Sequence, residues 1–141
     1  MATYNKFNAF VEYLLIAKAI DFDADTFKVM LTNTAPVATN SVKADLTEIS
    51  AGNGYTAGGT ATTITHSRSS GTSKIVGTDV VFTATGAVGP FRYAVLYDDT
   101  PAGTPTDPLV GWWDYGSSVT MASGDTFTVD FDATNGILQL A

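Results

Sequence analysis

The chain has 141 residues, a net charge of −7 and no cysteine. One domain accounts for that length, and a domain of this size hides about 68–70% of its unfolded surface without disulfides or metal. The seven basic residues are scattered from Lys6 to Arg92, which argues against the clustered Lys/Arg face that direct nucleic-acid binding requires.

Charged residues make up 15% of the chain, below the usual ~25%. Threonine, alanine and glycine take their place, a composition suited to strands and to surfaces that face another protein. Near the start, the longest apolar run (Tyr13 to Ala17) is bounded by Glu12 and Lys18, far short of the ~18–20 residues of a membrane span. No basic leader precedes an apolar core and cleavage site. The expectation is a protein made and kept in a cytoplasm unless something carries it out, with no membrane partner.

Phe7, Phe10, Val11, Leu14 and Leu15 fall at helical spacing, so the pattern predicts one substantial helix over Asn5–Ala19 with Asn5 as its N-cap. Asp21, Asp23 and Asp25 form an acidic turn into Thr26–Asn33. There Phe27, Val29 and Leu31 alternate with Lys28, Met30 and Thr32, which predicts a strand with one buried face. A loop surrounds Pro36. Val42–Ile49 is ambiguous, with Leu46 and Ile49 compatible with one helical turn.

Ala51–Thr60 is a glycine-rich loop, and threonine-heavy strands come after it. Asp79–Ala84 reads as a strand with Val81 and Phe82 in the core. The segment from Gly89 to Gly116 has the grammar of a β-hairpin with a long tip crowded with Asp, Pro, Gly and Thr. On its first strand Phe91, Tyr93, Val95 and Tyr97 share a face opposite Arg92, Ala94 and Leu96; Leu109–Tyr115 pairs back. A closing hairpin is expected where Phe127, Val129 and Phe131 alternate before the Asn135-Gly136 turn and Ile137–Ala141. Roughly eight short strands after one helix give a mainly β, single-domain chain (1–141), an antiparallel sandwich or barrel.

None of the chemically suggestive groups forms a convincing site. A calcium loop starting at Asp21 would need Gly and Glu where Thr26 and Thr32 stand. The Gly52–Gly59 loop lacks the Lys-Ser or Lys-Thr closure and helix of a phosphate cradle. His66 is the sole histidine, with no second ligand or orienting group near it in sequence. No catalytic, metal or cofactor residue is therefore assigned. Trp112 and Trp113 are adjacent on a strand, so they point to opposite faces. Packing or an interface is the first reading of these aromatics, a sugar-stacking platform the second.

The segments NKFNAFVEYL, FKVMLTNTAPVATNSVKADLTEISAGNGYTAGG, VGPFRYAVLYDDT, PLVGWWDYGSSVT and DTFTVDFDATNGIL together resemble a family of small tailed-bacteriophage virion proteins, some of them similar to capsid decoration (cement) proteins. The resemblance covers nearly the whole chain and carries no catalytic motif. It implies a jelly-roll-like β-sandwich made in the bacterial host cytoplasm and seated on the outer capsid surface. The implied partners are the major capsid protein and other copies of the chain, as a dimer or trimer. Contact is then expected from the aromatic strand with Tyr97, Trp112, Trp113 and Tyr115, from Phe10 and Leu14 of the helix, from the loop Asn53–Gly59 with Asn53 and Tyr55, and from the loop Asp98–Pro108. A tail-tube or head–tail connector subunit and a carbohydrate-binding virion appendage are the alternatives.

Overall fold

In the computed structural model, residues 2–101 and 103–141 are described; Met1 and Ala102 lie outside them. The elements in chain order are β1 (Tyr4–Lys6), α1 (Asn8–Leu15), β2 (Phe27–Thr32), a 3₁₀ turn (Lys43–Asp45), β3 (Thr60–Thr62), β4 (Ile64–Ser69), β5 (Thr72–Gly77), β6 (Val80–Thr83), β7 (Val88–Asp98), β8 (Leu109–Met121), β9 (Thr126–Val129) and β10 (Leu138–Leu140). The fold is mainly β, as the strand spacing predicts.

The long central hairpin organises it. β7 and β8 run antiparallel with Val95 opposite Trp112 and Ala94 opposite Trp113. β2 pairs with the other edge of β7, β3 with β2, and β1 with β8, giving the order β1-β8-β7-β2-β3. Two smaller antiparallel sheets, β10-β5-β4 and β6-β9, complete the layers. The main core joins Phe27, Val29, Leu31, Ala94 and Leu96 of the large sheet to Val80, Phe82, Val129 and Phe131.

The helix spans Asn8–Leu15 rather than the expected Asn5–Ala19, with Ile16 as its C-cap. Residues 4–6 are held extended by the ladder to β8, where Asn5 stands opposite Trp112. Phe7, not Asn5, occupies the N-cap position, without a side-chain cap. Strand pairing overrides helical periodicity at this end. Ladder bonds satisfy the backbone there.

β2 buries both faces rather than one: Met30 and Thr32 are as inaccessible as Val29 and Leu31. The cause is a second cluster on the far side of the sheet, Phe7, Met30, Val95, Tyr97 and Leu109, covered by Leu46 and Trp112. A semi-polar row thus reads as solvent-facing in sequence yet lies under a lid of loop. Within β7 the pairing register shifts on both sides of Phe91. Such irregularities re-aim side chains, and Phe91 joins the main core with Ala94 and Leu96 instead of the Tyr97 face.

Two further expectations fail locally. Val81 is half-exposed, and Val80 takes its place beside Phe82 in the core. The closing hairpin does not form: β9 pairs with β6, and β10 pairs with β5. The Asn135-Gly136 turn itself is present. Asp132 Oδ1 accepts from the amides of Thr134 and Asn135 at 2.8 and 2.9 Å, and Gly136 adopts φ +77°. Lys74 Nζ donates to the carbonyls of Ala133 and Thr134 at 3.2 and 3.0 Å, and the Ile137 amide donates to Ile75 O at 2.8 Å. These bonds tie the turn to β5, so the returning strand lands there.

Candidate functional site

A cleft of about 520 Å³ lies between the β7–β8 face and β9. Trp113 and Tyr115 lie two residues apart on β8 and so share its cleft-facing side. The Trp113 ring packs against Tyr4, with centroids 5.4 Å apart, and meets Phe131 edge-on at 5.3 Å. Tyr115, 57% exposed, meets Phe127 edge-on at 5.4 Å, and Phe127 in turn meets Phe91 at 4.8 Å. Ala94, Val129 and Ile137 also line it.

At the rim, Arg92 donates from Nε and Nη2 to the two oxygens of Asp114, at 2.7 and 2.9 Å. Asp114 also accepts the Gly116 amide at 2.7 Å. The Arg92 hydrogen bond holds the Asp114 carboxyl below its usual range, and the same bond raises Arg92. A bidentate pair fixes the guanidinium plane. Burial pushes the Tyr4 hydroxyl up to about 12, so it stays neutral. Among the described residues, the lining contains no Ser, Cys, His or Lys. Ring faces, a fixed cation and the carboxylates of Asp130 and Asp132 are groups that hold a ligand by stacking and charge. His66 stands exposed on β4, opposite Ile75.

The sequence-selected contact residues do not converge on one surface. Trp113 and Tyr115 line the cleft. Trp112, half-buried, lies against Phe7 on the opposite face, with ring centroids 4.5 Å apart. Phe10, Tyr55 and Tyr97 are buried within the chain's own core, and Leu14 packs half-buried against it. Asn53 is exposed, but its Nδ2 donates to Ala87 O at 2.8 Å, clamping one loop to another.

Tyr55 and Tyr97 instead hold the glycine-rich loop. The Leu31 amide donates to Tyr55 Oη at 3.0 Å, and Tyr55 donates to Glu48 Oε1 at 2.7 Å. Glu48 also accepts the Gly58 amide at 2.6 Å and pairs with Lys43 at 3.3 Å. Tyr97 donates to Gly58 O at 2.7 Å. Burial raises both tyrosines. The loop is a braced structural element, and the acidic turn is similar: Asp21 Oδ1 and Asp25 Oδ2 accept the amides of Asp23 and Asp21.

Sequence reasoning missed Tyr4, Arg92 and Phe127 as members of the cleft. The alternation of Phe127, Val129 and Phe131 was the available signal, but only the pairing of β9 with β6 shows what lies beside it. No family model matches the chain, no curated protein matches it, and no solved structure matches it.

Proposed function

We propose that this chain is a non-enzymatic phage structural protein, a decoration or cement protein that binds the outer capsid surface and stabilises the mature head. The observation that carries the reading is an uncovered apolar ridge on α1 and its end. Val11, Leu15 and Ile16 are 39, 58 and 78% exposed, while the opposite side of the same helix seats Phe10 in the core. An isolated exposed apolar residue is ordinary; a cluster on one short helix suits a partner surface. The resemblance to small virion proteins supplies the kind of partner: the major capsid protein, and further copies of this chain as a dimer or trimer. A jelly-roll-type sandwich belongs to the same proposal.

The mechanism is mass action. A protein that binds only the expanded shell stabilises that state by RT ln(1 + [L]/Kd), about 2.7 kcal/mol at a hundredfold excess over Kd. Chemistry is not required, only a stiff body and adhesive surfaces. Purified protein mixed with undecorated mature capsids should co-sediment at a fixed, high copy number. Protein left entirely in the supernatant would count against the reading, and so would spontaneous rings or tubes in the absence of capsids, which favour a tail or connector subunit.

A further inference from the structure

We infer that the free edge of β9 is a strand-addition site, taking an extended peptide of a partner protein with apolar residues at alternate positions and a Lys or Arg placed beside Asp130. The inference stands on the β9 edge alone and does not require the capsid reading.

Among the described residues β9 has one strand neighbour, β6, because β10 goes to β5. The Ala84 amide donates to Asp125 O at 2.9 Å. That bond sets the phase of the ladder. In an antiparallel pair, successive residues of a strand direct their N–H and C=O to alternate sides, so Phe127 and Val129 address β6 while Thr126, Thr128 and Asp130 address the open side. Among the described residues, none of these three has a backbone partner outside the β6 ladder.

The open side is the cleft. Six consecutive residues, Phe127 to Asp132, line it, whereas a strand presenting a face would contribute alternate ones. Opposite the edge stand Trp113 and Tyr115, ring surfaces for every second side chain of an added strand. Thr-Phe-Thr-Val also lacks the Lys or Pro that commonly blocks an exposed edge. Charge selects the occupant further. Arg92 is matched by Asp114, while no side-chain hydrogen bond of Asp130 occurs among the described residues, leaving the rim acidic. Main-chain bonds plus side-chain pockets are how strand addition achieves affinity and register.

The test is a displayed library of nine-residue peptides panned against the full chain. Alternating apolar sequences with a basic residue should be enriched. The selected peptide should protect the Thr126 and Thr128 amides from hydrogen exchange. Thr128→Pro should weaken its binding at least tenfold, because that amide gives no bond to β6 and proline is tolerated on such an edge. N-methylating the peptide on its β9-facing amides should do the same with the wild-type protein, which keeps the test valid if the proline variant misfolds. No enrichment overturns the inference, as does a peptide indifferent to N-methylation. A glycan from an array whose binding is lost in Trp113→Ala and kept in Thr128→Pro would assign the cleft to sugars and overturn it too.

Discussion

Trp112 and Trp113, consecutive on β8, belong to different cores. The first lies on Phe7 and the far side of the sheet; the second lies between Tyr4 and Phe131 on the near side. The large sheet is therefore anchored on both faces at one point of its sequence. Truncating either residue removes one anchor. Trp112→Ala and Trp113→Ala should each cost about 2–4 kcal/mol in denaturant unfolding, below the full core value because both rings are half-buried.

Gly59 is the tightest backbone position in the glycine-rich loop. A Cβ there would collide with the carbonyl of Val29, and φ is +78°. Gly59→Ala should destabilise by about 3 kcal/mol or more, or prevent folding. Gly103→Ala meets nothing within 4 Å and should stay within about 0.5 kcal/mol of wild type. Thermal melts of the two variants side by side check the contrast.

Tyr55→Phe keeps the ring against Phe82 but strips the acceptor from the Leu31 amide and the donor from Glu48. One buried amide loses its side-chain acceptor. A loss of about 1–3 kcal/mol is expected. Faster exchange at the Leu31 amide, with the remainder of β2 protected, is the accompanying signature.

Asp98 predicts an unusual pH response. It is wholly buried at the end of β7, and its Oδ2 has no hydrogen-bond partner among the described residues. Burial first, then the Asp25 carboxyl, pushes its pKa up to about 7. A raised carboxyl contributes stability that is complete below the unfolded value near 4 and is lost as pH rises through about 7. Asp98→Asn should therefore gain on wild type by about 2–4 kcal/mol between pH 4 and 8. The carboxyls of Asp45, Asp114 and Asp132 are lowered and act oppositely, losing stability below about pH 4. Comparing unfolding curves of the variant and wild type across pH isolates the Asp98 share; parallel curves would contradict it.

Local pattern made the central hairpin, the opposed tryptophans and the mainly β class legible, since side-chain alternation and turn residues are set within a few positions. Long-range pairing was not. The closing turn at Asn135-Gly136 exists, but Lys74 and Ile75 draw the last strand to β5, and no local rule reports a neighbour so distant along the chain. Met30 and Thr32 show the same limit for burial, because the loop carrying Leu46 covers them. The cleft was half visible through Trp113 and Tyr115. Its other wall depends on the strand pairing that local pattern misassigned.

Placement on the exterior of a phage head is the proposal with the widest consequences, and electron cryo-microscopy of the intact particle decides it. Density fitting this fold should appear on the outer shell surface, repeated at stoichiometric copy number, with α1 or the β8 aromatics turned toward the capsid protein. A bare shell, or this density confined to the tail, would contradict that placement.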